Sequence, residues 1–102
     1  MIITWSPFAI ERAYEEARYI ADDKPEAALH WLEGLFETID RLEHFPDSGR
    51  PVPEIRLPAI RELIYNRTHR IVYLRSENRV SILTIRRARQ PLQMSEIVSA
   101  LR

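Results

Sequence analysis

The sequence predicts an α+β domain in which an antiparallel helical hairpin packs on one side of a mostly antiparallel sheet. Three observations support this fold class. Apolar residues recur at helical spacing in the first half of the chain, they fall at strand spacing in the second half, and turn residues separate the segments. The predicted order of elements is therefore β-α-α-β-β-β-α.

One strand and two helices are predicted in the N-terminal half. Residues 1–5 are apolar and β-branched, which is typical of a strand. Ser6 followed by Pro7 indicates a helix start, because serine caps free amides and proline fits the first helical turn. A short break at residues 22–25 precedes a second amphipathic helix, and helices joined by so short a break should pair antiparallel.

A stiff loop, three strands and a short helix are predicted in the C-terminal half. The loop carries four prolines, which lack the amide donor that inner strands need. In the last strand, regular alternation would place Val80 and Ile82 on the face opposite Leu83 and Ile85. The boundaries expected are 45–58 for the loop and 60–66, 68–75 and 79–87 for the strands, and the short helix is expected within the tail at 91–101.

Length and composition indicate one cytoplasmic domain. A chain of 102 residues is expected to form a single domain over residues 1–102. The sequence contains no cysteine, which fits a reducing compartment, and its N-terminus lacks the pattern of a signal peptide. No apolar run approaches the ~20 residues of a membrane-spanning helix, so no membrane association is expected.

The charges are segregated along the chain although they cancel overall. Residues 1–48 carry eleven acids and four bases, whereas residues 49–102 carry four acids and eleven bases. Fourteen of the fifteen bases are arginine, whose planar fork of donors suits carboxylates and phosphates. This distribution predicts an acidic helical half and a basic sheet half.

Seven local motifs follow one another along nearly the whole chain and together resemble the ParE/RelE superfamily of type II toxin–antitoxin systems. Each motif alone is weak, and their order gives the resemblance its weight. They are SPFA at 6–9, DKPEAA at 23–28, FPDSGR at 45–50, IREL at 60–63, HRIVY at 69–73, VSILTI at 80–85 and AR at 88–89.

The resemblance implies a RelE/ParE-like fold, a toxin function and an antitoxin partner. RelE-like members cleave messenger RNA on the ribosome, whereas ParE-like members poison DNA gyrase. The C-terminal tyrosine or histidine of many RelE-like sites is replaced here by residues 91–94, so the resemblance is closer to ParE, the plasmid-stabilisation branch. It implies a ParD-like antitoxin in a hetero-oligomer, DNA gyrase as the target, weak or absent direct nucleic-acid binding and no cofactor.

Two other functions stay open at this point. One is a ribosome-dependent messenger RNA endoribonuclease that needs no metal, and the other is a binding module without toxicity. Arginine, with a pKa above ~12, moves protons poorly at neutral pH, so an arginine-rich cluster favours protein binding over RNA cleavage. If the chain were a nuclease, the catalytic candidates would be Arg70, Arg87, His69 and Tyr65.

Contact residues are expected on two surfaces. The basic strands and the amphipathic last helix are predicted to touch the target, and the apolar stripe of the helical hairpin is predicted to face the antitoxin. The target-contacting candidates are Arg61, Arg70, Arg86, Arg87, Arg89, Met94, Ile97, Val98 and Leu101. The antitoxin-facing candidates are Tyr14, Trp31, Leu35 and Phe36.

Arg70 and His69 also have structural interpretations. Adjacent strand residues point to opposite faces, so the two should not share a site unless the strand bulges. Arg70 could instead form an ion pair with Glu62 or Glu33. His30 and Glu33 share a helix face, but no second ligand pair lies near them in sequence, so no metal site is expected.

Overall fold

A five-stranded sheet and three α-helices form the structure, a computed structural model that describes residues 1–101. The order of elements confirms the predicted α+β fold class. The α-helices are α1 (Pro7–Asp23), α2 (Pro25–Asp40) and α3 (Met94–Leu101), with a 3-10 turn at Arg41–Glu43. The strands are β1 (Ile2–Trp5), β2 (Arg50–Pro51), β3 (Ile60–Tyr65), β4 (His69–Arg75) and β5 (Arg79–Arg87).

The strands lie in the order β1-β5-β4-β3-β2. The first strand pairs parallel with the last, from Ile2 opposite Arg79 to Trp5 opposite Ile82. The other three pairs are antiparallel, which matches the expected mostly antiparallel sheet. Within the described residues, none of the helices combines the length and the apolarity that a membrane crossing requires.

The helical hairpin begins where the sequence predicts it. The Ser6 side chain accepts the amide N–H of Ala9 at 2.9 Å, and Pro7 occupies the first turn, so the free amides at this end are partly satisfied. Extended backbone at Lys24 separates α1 from α2, and Pro25 starts the second helix. The break is one residue long, which makes the two helices antiparallel neighbours.

Apolar cores lie on both faces of the sheet. The larger core joins the helical hairpin to the sheet, and it includes Ala13, Leu35 and Ile71. The smaller core lies on the opposite face, where Val72 and Leu83 of the central strands pack with Ile97 of α3. The hairpin and α3 are therefore attached to opposite faces, so their outer surfaces can serve different partners.

A bulge in β5 corrects the alternation predicted for that strand. Opposite Val72 and Tyr73, strand β5 presents Thr84 and Ile82, so Leu83 is the extra residue. Ile85 consequently lies in the same core as Ile82, not opposite it. The bulge also leaves the Thr84 hydroxyl beside α3, where it donates to the Glu96 carboxylate at 2.8 Å.

The proline-rich loop contains a two-residue strand that was predicted only as loop. Strand β2 pairs antiparallel with β3 at the sheet edge, where Pro51 needs no ladder donor. Gly49 precedes it in close contact with the sheet. A Cβ atom at Gly49 would lie 2.5 Å from the Glu62 carbonyl oxygen and 2.6 Å from the Tyr73 hydroxyl, so this approach requires glycine.

Candidate functional site

Arg70 lies at the centre of a buried ion-pair network on the α3 side of the sheet. Its Nε donates to Glu62 Oε1 at 2.7 Å, and its two terminal nitrogens donate to the Glu54 carboxylate at 2.7 and 2.8 Å. Arg50 completes the network by donating to Glu62 Oε2 at 2.8 Å. Arg70 is only 5% exposed, so the prediction that it touches a target is wrong, and its ion pair with Glu62 is confirmed.

Glu54 also connects this network to the chain segment that enters α3. Its Oε2 accepts the Leu92 amide N–H at 2.9 Å, and Arg70 Nη1 donates to the Gln90 carbonyl at 3.0 Å. The hydrogen bonds from Arg70 lower the pKa of Glu54 from 4.5 to about 2. The hydrogen bonds to Glu54 and Glu62 in turn raise the pKa of Arg70, so the Arg70–Glu54 pair stays charged at neutral pH.

A second polar cluster lies on the helical-hairpin side of the sheet. His69 Nε2 lies 3.0 Å from Glu16 Oε1, and Arg87 Nε donates to the same oxygen at 2.8 Å. Burial opposes ionisation of Glu16, but the bonds with Arg87 and His69 outweigh it, so the pKa of this carboxyl is lowered. The Arg87 guanidinium also lies 4.6 Å from the centre of the Tyr19 ring, a cation–π distance.

Tyr65 is held by the second helix. Its hydroxyl donates to the Trp31 carbonyl at 2.9 Å, and its ring meets the Trp31 ring edge-on. Burial raises the pKa of Tyr65, with a further contribution from Glu37. The Tyr65 hydroxyl therefore links β3 to α2 through its hydrogen bond, and the raised pKa keeps the phenol neutral at physiological pH.

The four residues proposed for RNA cleavage do not all lie on one face of the sheet. His69 and Arg87 meet through Glu16 on one face, whereas Arg70 lies on the opposite face, as strand alternation predicts. Tyr65 is bonded to the helix backbone. In the sheet register Tyr65 lies opposite His69 and His69 opposite Arg87, so these three share one cross-strand row, with Glu16 bound to both His69 and Arg87.

Most of the other arginines predicted to contact the target are bound within the chain. Arg61 donates to the backbone carbonyls of Gly49 and Pro58 in the loop. Arg86 pairs with Glu96 at 3.1 Å and donates to the Pro91 carbonyl at 3.0 Å. Arg89 lies in the turn that follows β5 and is exposed.

An apolar groove, called the hairpin groove below, lies between the two helices of the hairpin and the end of β1. It has a volume of about 230 Å³. Tyr14 and Phe36 are 48% and 39% exposed there, and Phe36 stacks edge-on against the Trp5 ring with centroids 5.6 Å apart. The lining residues are Trp5, Ile10, Ala13, Tyr14 and Phe36.

Two of the predicted antitoxin-facing residues are wrong. Leu35 is fully buried and Trp31 is 7% exposed, because both point from α2 into the core against the sheet. Trp31, Leu35 and Phe36 therefore do not share one exposed face of α2. Positions 28, 31, 35 and 39 form the buried face, and Phe36 lies beside it at the surface.

The last helix presents an apolar stripe to solvent. Met94, Val98 and Leu101 are 51%, 43% and 51% exposed, and their spacing of four and three residues places them on one helix face. Ile97 is 1% exposed and anchors α3 in the smaller core, so its predicted target contact is wrong. The stripe and the hairpin groove are separate apolar surfaces.

No cluster of three or more histidine, cysteine, aspartate or glutamate side chains is placed to hold a metal ion in residues 1–101. His30 and Glu33, which share a face of α2, are both exposed.

Three residues with central contacts were not singled out by the sequence. Glu54 lies in an irregular loop, and Glu16 is one of several acids on α1, so neither has a periodic signal. Ile10 is 44% exposed and lines the groove, although apolar spacing alone does not distinguish it from the buried positions of α1. The buried positions of α1 are 9, 13 and 17, and all three are alanine. Ile10 lies outside this series, which is the signal that could have indicated its exposure.

Known proteins resemble this chain in both sequence and fold. "Putative toxin Y4kP" of Sinorhizobium fredii (strain NBRC 101917 / NGR234) is 34% identical over 88 residues, which cover 86% of this chain and 88% of that protein. A solved chain from the "Chromosomal ParDE TA system from P. aeruginosa" superposes with a TM-score of 0.73 at 21% identity. The match covers 85% of this chain and 95% of that chain.

The sequence also matches a family model over most of its length. The matching family is described as the ParE toxin of type II toxin-antitoxin system, parDE, and the match runs over residues 3–92. This range includes the helical hairpin, β2 to β5 and all but the first residue of β1, and it ends just before α3. The chain therefore belongs to the ParE toxin family of type II toxin–antitoxin systems.

Proposed function

We propose that this toxin acts in the cytoplasm by poisoning DNA gyrase through its C-terminal helix, and that a ParD-like antitoxin neutralises it. Plasmid stabilisation is the biological role that we associate with such a pair. The observation that carries the proposal is the exposed stripe of Met94, Val98 and Leu101 on α3. Exposed apolar side chains on one helix face suit docking into a groove of a partner protein.

The polar sites support a protein-binding mechanism over RNA cleavage. Proton transfer in RNA cleavage needs a base and an acid near one phosphate. Arg70 is sealed in ion pairs, and Tyr65 is bonded to the Trp31 carbonyl. Neither is free to take part in proton transfer.

The antitoxin is proposed to cover the hairpin groove. The solved relative comes from a ParDE toxin–antitoxin system, which supports a partner of this kind. Tyr14 and Phe36 offer apolar anchors, and residues 1–48 carry eleven acids against four bases. The matching antitoxin segment would insert apolar side chains into the groove and place basic side chains over the acidic helices.

The direct test compares two activities of the purified toxin. Supercoiling by purified gyrase should fall in its presence, and addition of the antitoxin should restore it. A message translated on ribosomes should remain intact under the same conditions. Cleavage of the translated message with unaffected gyrase would overturn the proposal.

A variant of the stripe tests the surface itself. Changing Met94, Val98 and Leu101 together to serine should weaken gyrase inhibition at least about tenfold, because a few apolar anchors carry most interface energy. The fold and antitoxin binding should persist, since the stripe is exposed and lies away from the groove. A matched control changes three comparably exposed apolar residues outside α3, Phe45, Leu57 and Ile64, to serine and should retain inhibition.

Ribosome-dependent cleavage is the second candidate because His69, Glu16 and Arg87 meet at one place. His69 Nε2 and Arg87 Nε both lie within 3.0 Å of Glu16 Oε1. A histidine can move a proton and an arginine can stabilise phosphate charge. His69→Ala would abolish RNA cleavage if this cluster were catalytic, and it should leave gyrase inhibition intact if the first proposal holds.

A further inference from the structure

We propose that Glu54 and Arg70 are positioning residues that fix α3, and with it the apolar stripe, in one place on the sheet. The structural half of this inference stands on contacts within the chain. Its functional half rests on the proposed target contact of the stripe.

The two residues hold both sides of the segment that enters α3. Arg70 Nη1 donates to the Gln90 carbonyl at 3.0 Å, and Glu54 Oε2 accepts the Leu92 amide at 2.9 Å. Arg70 and Glu54 are themselves joined by two hydrogen bonds of 2.7 and 2.8 Å. The Arg70–Glu54 ion pair therefore binds the backbone at Gln90 and at Leu92, on either side of Pro91. Met94, the first residue of the stripe, lies two residues after Leu92.

The base of this connection is rigid. Arg70 belongs to β4 in the middle of the sheet, and Glu62 of β3, which has no exposed side-chain area, holds its Nε. Arg50 binds the other oxygen of Glu62. Glu54 is the member of the network that lies outside the regular strands, in the loop between β2 and β3.

One other side chain holds this segment, since Arg86 donates to the Pro91 carbonyl at 3.0 Å, and the remaining contacts of α3 lie farther along the helix or are apolar. Ile97 and Leu92 pack in the smaller core, and the Glu96 carboxylate accepts from Thr84 and pairs with Arg86. A helix of eight residues is not stable alone in water, so its order depends on these contacts. Loss of the Glu54 connection should loosen the start of α3 while the core under Ile97 stays packed.

Hydrogen exchange of the Glu54→Gln variant tests the structural half. The variant keeps the side-chain volume but removes the charge that Arg70 and the Leu92 amide bind. Exchange at Leu92 and residues 94–101 should accelerate on the order of tenfold to a hundredfold, the range expected when hydrogen bonds to a charged group are lost. Amides of β4 and β5 should keep their protection.

Two further variants keep this test decisive. Asp47→Asn removes the exposed pair with Arg75 and should leave α3 exchange unchanged. Glu54→Asp retains the charge with one methylene less reach, and it should fold with intermediate exchange even if Glu54→Gln does not. Unchanged α3 exchange in both Glu54 variants, or an equal rise at every amide, would overturn the inference.

Measurements of inhibition and of antitoxin binding together test whether the position of α3 matters for function. Glu54→Gln should lose growth inhibition and gyrase inhibition in step with α3 loosening, and it should bind antitoxin within about twofold of the parent because the groove lies on the other face. Full inhibition by a variant with a loosened α3 would overturn the positioning role. The serine variant of the stripe reports separately on the target contact, so failure of that proposal is distinguishable.

Discussion

The phenol of Tyr65 occupies the space that a side chain at position 34 would need. A Cβ atom built at Gly34 would overlap the Tyr65 hydroxyl and lie 3.2 Å from its ring carbon Cζ. The same hydroxyl donates to the Trp31 carbonyl one helical turn earlier. Tyr65 of β3 therefore packs directly against α2 at Gly34, where the helix has no side chain.

Gly34→Ala should destabilise the fold by about 1–3 kcal/mol, although alanine is ordinarily the better helix residue. Chemical denaturation measures this loss. Tyr65→Phe alone should cost about 0.5–1.5 kcal/mol through the lost hydrogen bond. In the Gly34→Ala background the same change should cost less or stabilise, because it removes the overlapping oxygen, and strictly additive effects would contradict this account.

The turn between β3 and β4 carries a second testable strain. Asn66 and Arg67 both have positive φ angles, 55° and 64°, and arginine is disfavoured in that region. Arg67→Gly should raise the free energy of unfolding by about 0.5–1 kcal/mol, as measured by denaturation. Arg79→Gly, in the extended backbone of β5, serves as the control and should lower it. A loss of stability in Arg67→Gly would contradict the strain.

The hairpin groove provides a prediction for antitoxin binding. Tyr14→Ala and Phe36→Ala should each weaken the complex about tenfold or more, because exposed aromatics in a groove are the usual anchors of an interface. Titration calorimetry with the antitoxin measures the change. Tyr19→Ala removes an aromatic of α1 outside the groove and should have little effect. Equal weakening by all three variants would indicate a different docking surface.

Acid should weaken the Glu54 connection in a defined pH range. The folded pKa of Glu54 is about 2, below the ordinary 4.5, so its contribution to stability is present above pH 4.5. That contribution declines as pH falls and is lost below about 2. Arg70 and Glu62 face this carboxylate and Leu92 donates to it.

Denaturation of the parent and of Glu54→Gln across this pH range provides the measurement. The stability difference between them should be constant from neutral pH to about 5 and should shrink towards pH 2. Glu16, whose pKa is also lowered, titrates equally in both proteins and cancels from the difference. A difference that grows on acidification would contradict the assignment.

The sequence predicted the elements because their signals are local. The cap at Ser6 and the break between the two helices at residues 22–25 depend on neighbouring residues alone, and both appear where expected. Strand β2 was missed because two residues with a proline carry no period. The face of Ile85 was predicted wrongly because the bulge is defined by the pairing of β5 with β4. The sequence of β5 alone does not indicate that pairing.

The candidate site was less predictable because its contacts are distant in sequence. Opposite faces for His69 and Arg70 follow from alternation, and the structure has them. Glu54 meets Arg70 only through the course of an irregular loop. Burial of Trp31 and Leu35 depends on which side of α2 faces the sheet, and a broad apolar stripe does not specify this.

The pairing of the first strand with the last has a consequence for synthesis of the toxin. Residues 2–5 find their partners at residues 79–82, and Ser6 donates to the Leu83 carbonyl across 77 positions of sequence. Strand β1 therefore stays unpaired until β5 has been translated, and α3 is translated after β5. The sheet of a nascent chain therefore cannot close until residues 79–82 have left the ribosome, so β1 stays exposed as an unpaired edge for that interval.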